Sequence, residues 1–325
     1  MTKLKVVGAL VLVQVLFGVH YFVAKLLLVM LEPRAWAAVR IVGAAVLLMG
    51  YNLLFRRQHP ATLADLGRLG IYALFGIVIN QVLFVEGLSR TTPSHSAVIN
   101  SLIPVATLGF ALLLGHEQAS WRRSLSLLAA FASVLLLLRV ESFRLEDRLV
   151  VGDLLTLANA CSFSLFLVLA RGYLRRADPL GATSWLVTLG AVGIVAVAAG
   201  PLGRVHFGGL PARFWWLAAY AVVGATVITY WLNSYALRHV ESSAVALFIY
   251  LQPPIATVLS AVFLHERPTL RLALSGAGIF LAVYLAVSEK APRWGPVGAV
   301  AAPPPVTAAA ATTPPVAAAD DSGGR

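Results

Sequence analysis

The chain has 325 residues, of which 59% are hydrophobic and 12% charged, with a formal net charge of +11. Soluble globular chains carry about 25% charged residues, so this composition excludes a soluble fold and requires lipid as the solvent for much of the surface. The single cysteine, Cys161, excludes an internal disulfide, and the arginines sit between apolar runs, a placement that fits topology and anionic lipid better than nucleic acid.

A membrane span needs about 20 apolar residues. In chain order the candidate spans are Val6–Met30, Ala35–Phe55, Leu69–Leu88, Ser94–Gly115, Ser124–Leu138, Gly152–Tyr173, Ala182–Gly200, Trp215–Leu237, Ser243–Leu264 and Leu272–Val287. Lys3 and Lys5 precede the first run as they would in a signal peptide. Its apolar stretch is longer than the roughly 7–15 residues of a signal core, so it reads as a retained first span. Short connections such as Glu32-Pro33-Arg34 and Ala177-Asp178-Pro179 hold the turn formers and charges. From Ala291 the chain is rich in Pro and Ala without an apolar face, the composition of a disordered tail.

The fourth run returns as the ninth. Sliding the chain by 149 residues lays Ser94 on Ser243, Pro104 on Pro253, His116 on His265 and Glu117 on Glu266 without a gap. A period this long marks a duplicated domain. The expected organisation is a first repeat over residues 1–139, a loop over 140–151, a second repeat over 152–288 and the tail over 289–325. Five spans per half is an odd number, so the second half enters the membrane from the opposite side. The expected fold is an all-α membrane protein of ten transmembrane helices in two inverted five-helix repeats, an architecture common in secondary transporters. With the N-terminus inside, inside segments hold 14 basic residues and outside segments nine. That bias puts both termini in the cytoplasm.

These features resemble the EamA family of the drug/metabolite transporter superfamily. The resemblance rests on Leu16–Lys25 (LFGVHYFVAK), similar to the family's aromatic-Gly-x-x-Phe opening, on Arg40, and on the two Pro-x12-Glu units, Pro104/Glu117 and Pro253/Glu266. It covers about residues 5–288. The second half has no arginine matching Arg40 in Ala182–Gly200. The resemblance implies a central cavity lined mostly by the first four helices of each half, alternating access, and export or exchange of small metabolites.

Several residues could carry the chemistry. Pro104 frees the carbonyl of Asn100, and Pro253 and Pro254 free those of Ile249 and Tyr250. Freed carbonyls at membrane depth need a partner or a wet cavity, so these prolines are candidate hinges or static kinks. Lys25, Arg40 and Glu86 are charges within spans, and each must be paired or in water. Their shared level makes a Glu86 pair with Lys25 or Arg40 possible. The alternatives are a free cation for an anionic substrate group or a coupling proton on Glu86. His20, Asn80, Gln81, Asn100, Tyr230, Trp231, Tyr250 and Gln252 are candidate cavity residues, and their aromatics would suit an amphipathic or aromatic substrate. Any single amide among them could equally join helices. Asn159, Ser162, Ser164 and Trp185 are further polar or aromatic residues in spans six and seven. His20 is also a candidate proton carrier. Trp36, Trp215 and Trp216 read as interface anchors, and the two His-Glu pairs as helix-end caps.

No phosphate-binding Gly-Lys loop, metal-ligand motif or Ser nucleophile elbow occurs, so neither a cofactor nor an enzymatic activity is expected. An intramembrane enzyme would have only Glu86 with His20 to use. The expected function is secondary active transport of a small metabolite, such as an amino acid, nucleobase or drug-like compound, out of a bacterial cell across the inner membrane. The expected partners are the solute, membrane lipids and a coupling proton. The alternative is a lipid-carrier flippase or another membrane-embedded lipid-handling protein.

Overall fold

The computed structural model describes residues 2–60, 62–115, 120–138, 147–174, 176–229, 231–232 and 248–287. Tyr230, His116, Glu117 and the tail lie outside the described residues. Ten helical segments fill the described residues, at the places the apolar runs predict. They are α1 Thr2–Met30, α2 Pro33–Arg56, α3 Leu63–Arg90, α4 Pro93–Leu113 and α5 Trp121–Leu137. In the second half they are α6 Arg148–Leu174, α7 Pro179–Gly203, α8 Ala212–Ile228, α9 Phe248–Phe263 and α10 Leu270–Val287. Six of them, α1 to α4, α6 and α7, are long and apolar enough by themselves to cross a bilayer.

Four helix starts are fixed by side-chain capping rather than by the first apolar residue. Thr62 accepts the N–H of Asp65 and starts α3 six residues ahead of the apolar run. Asp147 accepts the N–H of Leu149 and starts α6. Thr92 and Asp178 cap α4 and α7, each followed by proline at the first helical position, where the missing N–H costs nothing. At the end of α9, His265 takes a left-handed φ of 54° and the Glu266 N–H reaches back to the carbonyl of Ser260. That pattern closes a helix, as expected of the second His-Glu pair.

Helix packing follows the repeat. α2 runs along α7 and α5 along α10, each a pair of equivalent helices. α3 and α4 pack on α6, just as α8 and α9 pack on α1. These contacts come in pairs related by a pseudo-two-fold, and the first helix of each repeat is embedded in the other repeat. The larger core runs through α1, α2, α3, α6, α7 and α8. A second cluster joins α4, α5 and α10. One end of the bundle carries the α1–α2 and α3–α4 turns and the start of α6, and is called here the Lys25 end. The opposite, Trp185 end carries the α2–α3 and α6–α7 turns.

Trp36 corrects the expectation of an interface anchor. It is 0% exposed and packs edge-to-face on Phe214, with ring centroids 6.1 Å apart, because the start of α2 is covered by α8. Trp215 and Trp216 are 48% and 78% exposed, as an interface position requires.

Candidate functional site

Two buried polar groups occupy the interior. In the first, Gln252 on α9 donates from Nε2 to Gln14 Oε1 on α1 at 2.6 Å and accepts from the Tyr21 hydroxyl at 3.4 Å. Gly18 permits this approach, since a Cβ there would lie 2.8 Å from the Ile255 side chain. That contact gives a steric reason for the glycine of the α1 motif. His20, one residue before Tyr21, is 3% exposed and stacks on Phe84 with centroids 6.2 Å apart. Neither ring nitrogen has a partner among the described residues. An imidazole buried without partners is costly.

In the second group, Arg40 is buried on α2 and donates to Gln81 Oε1 at 3.2 Å and Thr226 Oγ1 at 3.3 Å. Gln81 donates on to Asn80. Asn80 and Asn159 exchange amide-to-carbonyl bonds between α3 and α6 at 3.4 and 2.9 Å. Ser162 and Ser164 continue this seam by donating to the carbonyls of Phe75 and Ile103.

The prolines sit at equivalent places, each in the first turn of an α-helical segment. α4 breaks at Ser101–Leu102 and resumes at Ile103 with Pro104 in its first turn. α9 begins, among the described residues, with a tight turn over Phe248–Leu251 and continues from Gln252 with Pro253 in its first turn. A buried amide accompanies each proline, Asn100 before the first and Gln252 beside the second. Tyr250 is placed elsewhere, against Phe280 and the cluster of α4, α5 and α10, with its hydroxyl unpartnered among the described residues. Trp231 is 60% exposed.

The three expected intramembrane charges do not pair with one another. Glu86 is held by Arg34 (Nε to Oε1, 2.8 Å) and Arg90 (Nη1 to Oε2, 2.6 Å). Lys25 donates to the carbonyls of Leu88 at 2.6 Å, Ser89 at 3.4 Å and Thr91, capping the negative end of α3. Arg40 lies deeper, in the network above. A common depth was readable from sequence, but which way each side chain faces was not. Lys25, Glu86, Arg34, Arg90, Arg148 and Glu32 line one recess of about 800 Å³ at the Lys25 end.

Behind that recess lies a set that depth reading missed. Asp153 on α6 is 1% exposed. It accepts the Thr91 hydroxyl on one oxygen and contacts His95 Nδ1 on the other at 2.8 Å. The available signal was an Asp one residue inside the sixth apolar run and a His one residue inside the fourth. At the opposite end, Gln58, His59, Asp65, Arg68, Tyr173, Arg176, Asp178 and Trp185 line a smaller recess of about 390 Å³. Trp185 belongs to this recess rather than to the interior, donating its indole N–H to the Gln58 carbonyl at 3.0 Å. No cluster of metal-ligating side chains occurs among the described residues.

Ten helices in two symmetry-related sets, with polar side chains sealed between recesses at either end, define an integral membrane protein built from an inverted repeat. A profile of the EamA-like transporter family matches residues 4–139 and again 150–288. The chain is 26% identical over 251 residues to "Uncharacterized transporter YyaM" of Bacillus subtilis, covering 75% of this chain and 81% of that protein. It is 24% identical over 325 residues to "WAT1-related protein At4g30420" of Arabidopsis thaliana, covering 87% and 85%. A solved crystal structure superposes with a TM-score of 0.60 at 17% identity, covering 88% of this chain and 97% of that one, which shows a shared fold. The chain belongs to the EamA-like transporter family of the drug/metabolite transporter superfamily. It is therefore a membrane transporter of a non-enzymatic family, with a small molecule as substrate.

Proposed function

We propose that this transporter is a secondary carrier that exports a small metabolite or amphipathic compound across the inner membrane of a bacterial cell. In this reading both termini are cytoplasmic, the Lys25 end faces outward, and a proton is the candidate coupling ion. The observation that carries the reading is the matched pair of proline-bearing segments. α4 breaks ahead of Pro104 and α9 passes from a tight turn into α-helix at Pro253, beside the buried amides Asn100 and Gln252. Discontinuous helices of this kind form midplane substrate sites in inverted-repeat carriers. The linings of the two recesses include none of His20, Arg40, Gln81, Asn100 and Gln252. These residues form the barrier between the ends, and alternating access requires it to open to one side at a time.

The test is a metabolite screen in proteoliposomes, read first as thermal stabilisation, which follows from mass action, and then as counterflow of each hit. A compound that stabilises and exchanges supports the carrier and names its solute. A lipid that stabilises while no soluble compound exchanges would replace this reading with lipid handling. For an established solute, Gln252→Leu is expected to weaken binding about tenfold, the worth of one buried hydrogen bond. An unchanged affinity would mean that Gln252 only joins α9 to α1.

A further inference from the structure

The recess at the Lys25 end holds more positive charge than its own contacts neutralise. Lys25, Arg34, Arg90 and Arg148 line it against Glu32 and Glu86. Both oxygens of Glu86 are engaged, one by Arg34 and one by Arg90. Glu32 is met by Arg204 at 3.3 Å. Lys25 is committed to the carbonyls at the end of α3. Arg148 contacts only the Ser89 carbonyl among the described residues, through Nη2 at 3.3 Å. Arg34 is bonded there only through Nε. Among the described residues that line the cavity, two guanidinium groups therefore have N–H donors to offer while both lining carboxylates, Glu32 and Glu86, are already engaged.

Two further observations point the same way. The N-termini of α2 and α6 both open into this recess, at Pro33-Arg34 and at Arg148. Each brings the positive end of a helix of more than 18 residues. In the proposed orientation this is also the outer face, where lysine and arginine are disfavoured. Snorkelling to lipid headgroups would place such side chains on the convex rim, whereas these surround a concavity of about 800 Å³, within the range of small-molecule sites.

We infer that the recess is an anion-binding vestibule in which Arg34 and Arg148 hold a carboxylate or phosphate group of the transported solute. This deepens the carrier reading and rests on it, by naming the solute class. Arginine suits the task because its planar fork meets either anion with two parallel hydrogen bonds. An arriving anion also competes with Glu86 for Arg34, so occupancy of the vestibule loosens a tie between α2 and α3.

The experiment measures thermal stabilisation of the full chain in phosphatidylcholine nanodiscs. The probes are inorganic phosphate and two matched pairs, glutamate with glutamine and glucose 6-phosphate with glucose. The anions are expected to stabilise, the neutral partners not, and added salt to weaken the effect in the parent protein. Arg148→Gln and Arg34→Gln are each expected to raise the apparent Kd for phosphate about tenfold, and Arg148→Lys, which keeps the charge but loses the planar fork, to raise it by less. Arg68→Gln, in the opposite recess, is expected to leave it unchanged. No response to any anion, equal response to the neutral partners, or an undiminished response in both Gln variants would overturn the vestibule. The salt dependence and Arg148→Lys keep the test decisive if a Gln variant does not fold. Stabilisation by phosphatidylglycerol through the same arginines, without an effect of soluble anions, overturns a solute site and assigns the anion chemistry to lipid headgroups. Binding is read without transport, so counterflow of a neutral solute with no anion effect would discard the vestibule and keep the carrier, whereas anion binding with no exchange of any solute would discard the carrier and with it the assignment of the anion to a transported solute.

Discussion

The two ends of the bundle are related by the pseudo-two-fold, yet they are built from different chemistry. The Lys25 end has four cations and two carboxylates on its recess wall, with a buried Asp153–His95 pair behind them. The Trp185 end balances Arg68 and Arg176 against Asp65 and Asp178, and surrounds them with the rings of His59, Tyr173 and Trp185. The difference is written into the repeat. Under the 149-residue slide, Thr91 and His95 fall on Val240 and Ala244. The second repeat enters α7 at Asp178-Pro179 as the first enters α2 at Glu32-Pro33, a local offset of 146, and under it Asp153 falls on Val7. None of the three polar partners has a polar counterpart. The Lys25 end is therefore held by side chains that the repeat does not match at the other end.

The largest expected effect tests that energetic asymmetry. Asp153→Ala removes a carboxylate that is 1% exposed and leaves the His95 ring and the Thr91 hydroxyl without their partner. Breaking a buried pair from one side costs about 3–5 kcal/mol. Asp178→Ala at the opposite end removes an N-cap that accepts the Gly181 N–H at 2.8 Å, a loss of about 1 kcal/mol. Unfolding in a mild detergent, followed against denaturant, should separate the two variants clearly. Equal losses would mean that the Asp153 set adds nothing beyond an ordinary cap. A milder break at the same place is Gly152→Ala, whose Cβ would sit 2.5 Å from the Thr91 backbone nitrogen. The cost there is about 1–3 kcal/mol for forced repacking.

Lys25→Met comes next. It keeps the length of the side chain but removes the ammonium from three carbonyls at the end of α3. The expected loss is about 1–3 kcal/mol, since each carbonyl near the recess can partly turn to water. Hydrogen exchange at Thr91 and Thr92 should rise in this variant, reporting a looser α3–α4 turn. Unchanged exchange would mean that the turn is held by Asp153 and Arg148 alone.

How far the sequence reaches explains why these variants were not all foreseeable. The ten spans were legible because lipid demands a long apolar stretch for each crossing, and the 149-residue slide exposed the duplication. The position of Pro104 located the break in α4, and that of Pro253 the passage from tight turn to α-helix in α9. What was hidden is which way each side chain faces around its helix axis. Glu86, Lys25 and Arg40 share a depth but face Arg34 and Arg90, the α3 carbonyls, and Gln81 with Thr226 respectively. Trp36 looked like an interface residue because it is four residues into α2, and only the covering by α8 makes it core. Asp153 and His95 were readable as rim residues because each stands near the start of an apolar run, whereas capping by Asp147 and Thr92 starts their helices earlier and draws both into the packed layer.

The smallest effect belongs to the Trp185 end. Trp185 Nε1 donates to the Gln58 carbonyl, and its ring meets His59 edge-on with centroids 6.0 Å apart. The same stretch is held from the other side by Asn52, which donates to the Gln58 carbonyl at 2.9 Å and accepts its N–H at 3.2 Å. Trp185→Phe removes the indole donor but leaves an aromatic ring and both Asn52 bonds. The expected loss is therefore about 0.5–1 kcal/mol at a site open to water. Asn52 is 1% exposed, so Asn52→Ala should cost more, about 1–3 kcal/mol for buried groups left unpaired. If Trp185→Phe proved the more damaging of the two, the indole rather than the Asn52 clasp would hold the α2–α3 connection. The Trp185 end would then depend on its indole donor as the Lys25 end depends on its buried Asp153 contacts.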